Sequence, residues 1–157
     1  MSRRVAFYGI FAALAVLMGY VEAMVPAPVP IPGIKLGLAN VIVLISMYFI
    51  SNKAALGVNV IRVLMSALLF NGFSGFLFSI AGAGISFIVI VLAKRIKSSS
   101  IIGVSVLGGV THNIAQIGVA AIVLDTPGLM YYVPVILISG IITGVIIGIV
   151  SKYCLKH

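Results

Sequence analysis

Apolar residues run along this chain in six long blocks, and the polar residues that interrupt them collect in short clusters between the blocks. The blocks cover residues 5–24, 34–50, 54–70, 73–93, 101–124 and 129–150. Between them lie Ser51-Asn52-Lys53, Asn71-Gly72, a Lys- and Ser-rich stretch from Lys94 to Ser100, and Asp125-Thr126-Pro127-Gly128. Crossing the hydrocarbon layer takes about 20 apolar residues as a helix. A barrel strand would instead alternate polar and apolar residues, and these blocks do not. The pattern therefore predicts an all-α membrane protein, a six-helix bundle. With connections this short, the helices are neighbours in one domain over residues 1–157.

Composition sharpens that reading. The chain is 62% hydrophobic and 8% charged, and its mean hydropathy is +1.34, so lipid rather than water is its main solvent. Its formal net charge of +8 has a topological explanation. If both termini are cytoplasmic, the inner side receives Arg3, Arg4, Lys53, Lys94, Arg95, Lys97, Lys152 and Lys156, as multi-pass proteins of the cell membrane require. The excess then faces anionic lipid headgroups and gives no reason to invoke nucleic acid. The start, Met1 to Arg4 before an apolar run, also has the form of a secretory signal with Val25-Pro26-Ala27 as a cleavage site. The run is longer than the roughly 7 to 15 residues of a signal core, which favours retention as the first helix. Cys154 is the one cysteine, so neither an internal disulfide nor a CxxC metal site is available, and it is read as inert packing.

Against this apolar background a few polar residues fall at bilayer depth. Arg62 is the ninth residue of its block, roughly 12 Å from either end, too deep for its side chain to snorkel easily to either interface. A guanidinium there costs about 2.5 kcal/mol or more, so it should face the bundle interior. Asn59 shares its face three residues earlier, and His112 and Gln116 share a face four residues apart with Asn113 beside them. Glu22 closes the first helix, Lys35 opens the second at the outer boundary, and Asn40 lies over a turn deeper. Together Glu22, Lys35, Asn40, Asn59, Arg62, His112, Asn113 and Gln116 make a ring rich in donors and poor in carboxylates, suited to a small anionic or strongly hydrogen-bonding solute. The alternative is structural: Arg62 pairs with Glu22, and the amides join helices at about 0.6 kcal/mol each.

Two further patterns bear on the bundle. Pro26, Pro28, Pro30 and Pro32 alternate just before Gly33, which favours a stiff extended segment, either a lid over an outward-facing pocket or a plain connector. Small residues recur at four-residue spacing as Gly9/Ala13 and Ala15/Gly19 in the first helix and as Gly140, Gly144 and Gly148 in the sixth. They allow close helix approach, within the chain or to a partner.

What is missing restricts function. No GxxxxGK[ST] loop is present, so the chain does not hydrolyse ATP in that way. Its two acids, Glu22 and Asp125, cannot cluster as the carboxylates that hold magnesium-diphosphate. Nor has His112 the partners of a catalytic triad. We therefore expect no enzyme and no cofactor held by this chain.

Lys35-Leu36-Gly37-Leu38-Ala39-Asn40 and the stretch Gly108 to Gln116, reading GGVTHNIAQ, resemble the two signature stretches of the Gx transporter family, also labelled heptaprenyl diphosphate synthase component I. That family resembles the substrate-binding S components of energy-coupling factor transporters. The resemblance implies six helices with both termini inside and solute entry from outside beneath the loop at Pro26 to Gly33. It also implies a partner ECF transmembrane subunit with two ATPases, and a small-residue docking face on the first helix. That face is often Ala-xxx-Ala in S components; here Gly9-xxx-Ala13 or Ala15-xxx-Gly19 would have to serve. The expected function is thus capture of a small anionic metabolite or cofactor precursor. Lys35 and Arg62 would neutralise it, while Asn40, Asn59, His112, Asn113 and Gln116 orient it. The alternatives are a membrane accessory subunit of a heptaprenyl diphosphate synthase, or a self-contained channel or proton-coupled carrier using His112.

Overall fold

A computed structural model describes residues 2–24 and 37–156. They form six α-helices: α1 Ser2–Met24, α2 Leu38–Phe49, α3 Asn52–Ser66, α4 Gly72–Arg95, α5 Ile101–Val123 and α6 Val133–Cys154. No strand occurs among the described residues. Five stretches are long and apolar enough to cross a membrane: Val5–Met24, Asn52–Phe70, Gly72–Arg95, Ile101–Val123 and Pro127–Cys154. The surface is apolar where the interior is polar. Ile122 is 79% exposed, whereas His112 and Gln116 are 9% and 4% exposed, the reverse of a water-soluble protein.

Several boundaries differ from the sequence pattern for identifiable reasons. The second helix, expected over 34–50, is described only from Leu38; Gly37 precedes it in a left-handed conformation (φ 76°) open to glycine, and residues 34–36 lie outside the described residues. Its 12 residues span roughly 18 Å, short of the hydrocarbon thickness. The third starts at Asn52 because the Ser51 hydroxyl accepts the Ala54 N–H at 3.1 Å. It ends in a π turn, Ala67–Asn71, which leads straight into α4. Ser100 caps α5 in the same way, through the Gly103 N–H. The sixth block, expected from residue 129, begins instead with a 3₁₀ turn, Pro127–Tyr132, and its α-helix runs on to Cys154, which is exposed rather than packed.

The helices α2, α3, α4, α5 and α6 touch in a closed circuit, and α1 lies against α2 and α3. The circuit closes through the α2–α6 contact, and the main core draws on all six helices, with Ala15, Met47, Val58, Ile90, Val104 and Ile147 among its members. Gly140, Gly144 and Gly148 set the closest seam: a Cβ on any of them would come within 3.0 Å of a backbone atom of α5. On α1 the small residues divide. Ala15 is fully buried and Gly19 faces Ser66, whereas Gly9 and Ala13 are exposed.

Phe7 and Phe11 pack their rings on Phe49, and Gly148 abuts Ile102. The start of α1, the α2–α3 junction, the α4–α5 junction and the end of α6 therefore share one end of the bundle, which carries Lys53, Lys94, Arg95, Lys97, Lys152 and Lys156. Lys94 has a structural task there that charge counting does not reveal. Its Nζ donates to the Met47 carbonyl at 2.6 Å and to Asn52 Oδ1 at 3.2 Å, and it sits 4.6 Å from the Tyr48 ring centroid. It thereby satisfies an orphan carbonyl at the end of α2. Lys94→Met should lower stability by about 1–2 kcal/mol, read as a lower melting temperature in detergent.

Candidate functional site

The buried polar side chains at mid-bundle form one connected layer across three helices. Arg62 Nη2 donates to Asn59 Oδ1 at 2.8 Å, and Asn59 Nδ2 donates to the Ala83 carbonyl of α4 at 3.2 Å. The Ser86 hydroxyl also donates to that carbonyl, at 3.3 Å, and lies 3.4 Å from His112 Nδ1 on α5. Arg62 on α3 is thus linked to His112 on α5 through α4. Gly82 permits the approach: a Cβ there would meet Gln116 Cγ at 2.7 Å and the His112 ring at 3.1 Å. Two polar atoms in this layer are enclosed with no partner among the described residues, the donor Arg62 Nε and the acceptor Gln116 Oε1. An unpaired group of this kind at depth costs about 1–3 kcal/mol.

Not every expected residue joins this layer. Asn113 is buried but turns to the other side of α5, where its Nδ2 donates to the Ile136 carbonyl of α6 at 3.3 Å. It ties helices together. Glu22, near the end of α1, accepts the Gly37 N–H, and its charge reaches Arg62. Asn40 sits in the first turn of α2, half-buried, and lines a small cavity with Asn59, Ser86 and Ser105. Lys35, Pro26, Pro28, Pro30 and Pro32 lie outside the described residues.

Ser86, Ser105, Gly82 and the Ala83 carbonyl were not legible as site members. The usable signal was the run Ala81-Gly82-Ala83-Gly84-Ile85-Ser86, small residues on a helix that must come close to its neighbour. On the opposite flank, α1 and α3 frame an open apolar groove lined by Ala13, Leu17, Tyr20, Ile61, Met65 and Leu69. Among the described residues no three His, Cys, Asp or Glu side chains gather as a metal site.

The layer offers hydrogen bonds, one cation and an imidazole inside an apolar bundle, which is equipment for binding. A sequence model of the family described as heptaprenyl diphosphate synthase component I matches residues 11–154. No curated protein and no solved structure matches the chain.

Proposed function

The chain belongs to the heptaprenyl diphosphate synthase component I family, and from that membership we propose that it is a membrane subunit working within a larger assembly. Its own share is capture of a small anionic solute from outside the cell, in the manner of an S component. One observation carries this reading: the layer from Arg62 to His112 leaves Arg62 Nε and Gln116 Oε1 enclosed and without partners among the described residues. The solute approaches from the end where α1 stops and α2 begins. The opposite end, with its lysines and arginines, faces the cytoplasm. An ECF transmembrane subunit and two ATPases supply the energy, and the exposed Gly9 and Ala13 of α1 suit a close helix contact with the first of these.

Prenyl transfer by this chain alone is a poor fit, because Glu22 and Asp125 are its only acids and magnesium-diphosphate requires a carboxylate cluster. A second reading keeps the synthase association. The family description and the apolar groove between α1 and α3 favour an accessory subunit that holds a growing prenyl chain for a soluble, Asp-rich catalytic partner.

Thermal unfolding of the detergent-solubilised protein, screened against vitamins, nucleobases, isoprenoid phosphates and quinone precursors, separates the two. A captured solute at about 100 times its Kd adds about 2.7 kcal/mol, a shift of several degrees that Arg62→Ala abolishes. A hit that binds the Arg62→Ala variant equally well removes the placement. Copurification of an Asp-rich protein whose product length changes on loss of this subunit favours the second reading.

A further inference from the structure

Below the Arg62–His112 layer, toward the basic end, the bundle holds a partly open cavity of about 40 Å³. Among the described residues its polar lining consists of Asn40, Asn59, Ser86 and Ser105, and the remainder is apolar side chains and glycine, with no charged residue. A water needs roughly 10–15 Å³ of such volume, so the cavity has room for a group of about three or four heavy atoms. That is far below the roughly 300 Å³ of a pocket enclosing a whole metabolite.

We propose that this cavity is a chamber for an uncharged, hydrogen-bonding head group of the captured solute, an inference that rests on the solute-capture reading and narrows its substrate class. An ion seated there would lose its hydration with no opposite charge on the walls. Asn59 and Ser86 already have hydrogen-bond partners, but a purely apolar group would leave the Asn40 amide and the Ser105 hydroxyl on the lining without any. A compact group with both a donor and an acceptor, such as a primary amide or a hydroxymethyl, matches the lining. Asn59 connects the chamber to the charge: it lines the cavity while its Oδ1 accepts Arg62 Nη2 at 2.8 Å. The solute therefore carries its negative charge next to a small neutral head, the charge at Arg62 and the head among Asn40, Ser86 and Ser105.

Acetamide and acetate have the same shape and differ in charge, so they serve as probes of the full-length protein in detergent, with sodium chloride matching the salt. Acetamide should raise the melting temperature saturably and acetate should do no more than the salt control. Ser105→Ala and Ser86→Ala add no volume, and each should weaken acetamide about five-fold, the loss of one neutral hydrogen bond. An acetate shift abolished by Ser105→Ala overturns the assignment, as does an acetamide shift that both variants retain, or no acetamide shift at all. Should a variant fail to fold, the contrast between the two probes on the unmodified protein still decides whether the chamber prefers a neutral group. Loss of the acetamide effect while an Arg62-dependent solute still binds sinks the chamber alone. A Ser105-dependent acetamide effect with no Arg62-dependent solute supports the chamber and sinks the capture reading.

Discussion

Gly144→Ala should destabilise the bundle by about 3 kcal/mol, at the upper end of overpacking penalties, while Gly57→Ala should be neutral or stabilise it by up to about 1 kcal/mol. The two substitutions add the same methyl group to a helix interior. At Gly144 the new Cβ would lie 2.6 Å from Val106 Cα and 3.1 Å from the Ser105 carbonyl oxygen. Those are backbone atoms, which cannot rotate away as a side-chain tip can. Relief requires α6 to withdraw from α5, and the seam is tight along its length, with a Cβ at Gly148 2.7 Å from Ile102 Cα and one at Gly109 2.7 Å from the Gly140 carbonyl oxygen. In lipid, van der Waals packing of this kind carries much of helix association, since exposed apolar surface is no longer driven inward. At Gly57 nothing lies within 4 Å of the added atom, so only the helix propensity gain remains. Unfolding both variants in the same detergent checks the contrast. Equal stabilities would mean that α5 and α6 do not approach this closely.

That seam also shows why the sequence was informative about some elements and silent about others. Apolar block length located the five stretches long enough to cross a membrane because bilayer thickness constrains it directly, and the four-residue glycine spacing marked α6. Spacing could not say which neighbour the glycines meet. Asn113 illustrates the limit: it is adjacent in sequence to His112, yet a step of about 100° around the helix sends it to α6 while His112 meets α4. The pairing of Arg62 and His112 through Ser86 depends on α4 lying between α3 and α5, a fact of topology that one-helix periodicity does not contain. The bonding of Lys94 was hidden for the same reason. Charge counting placed it at the basic end, but its bond to the Met47 carbonyl depends on where α2 stops. The start of α2 at Leu38 was unexpected because residues 34–50 read as one apolar block, and the left-handed backbone at Gly37 is not visible in that pattern.

Asn59→Leu and Arg62→Met should move stability in opposite directions although both abolish solute capture. Asn59 supplies the one hydrogen bond that the Arg62 side chain makes within the described residues, at 2.8 Å. Replacing Asn59 with leucine leaves the guanidinium with no acceptor at mid-depth. A hydrogen bond to a charged group is worth about 1.5–3 kcal/mol; Arg62 is half-buried, so a loss of about 2 kcal/mol is the expectation. Little of that loss comes from the Ala83 carbonyl, which keeps the Ser86 hydroxyl at 3.3 Å. Arg62→Met removes the charge itself and fills similar space with an unbranched apolar chain. It relieves the enclosed Nε that has no partner, so stability should hold or rise by about 1 kcal/mol. Capture should nonetheless fall at least about 30-fold, because an anion loses its countercharge, worth about 2 kcal/mol or more in a desolvated site. The double variant decides the matter. With Arg62 already methionine, Asn59→Leu should cost under about 1 kcal/mol, a coupling that a double-mutant cycle in detergent measures directly. Simple additivity of the two substitutions would mean that Asn59 does not hold the guanidinium, and Arg62 would then be free to reach a solute without the polar layer behind it.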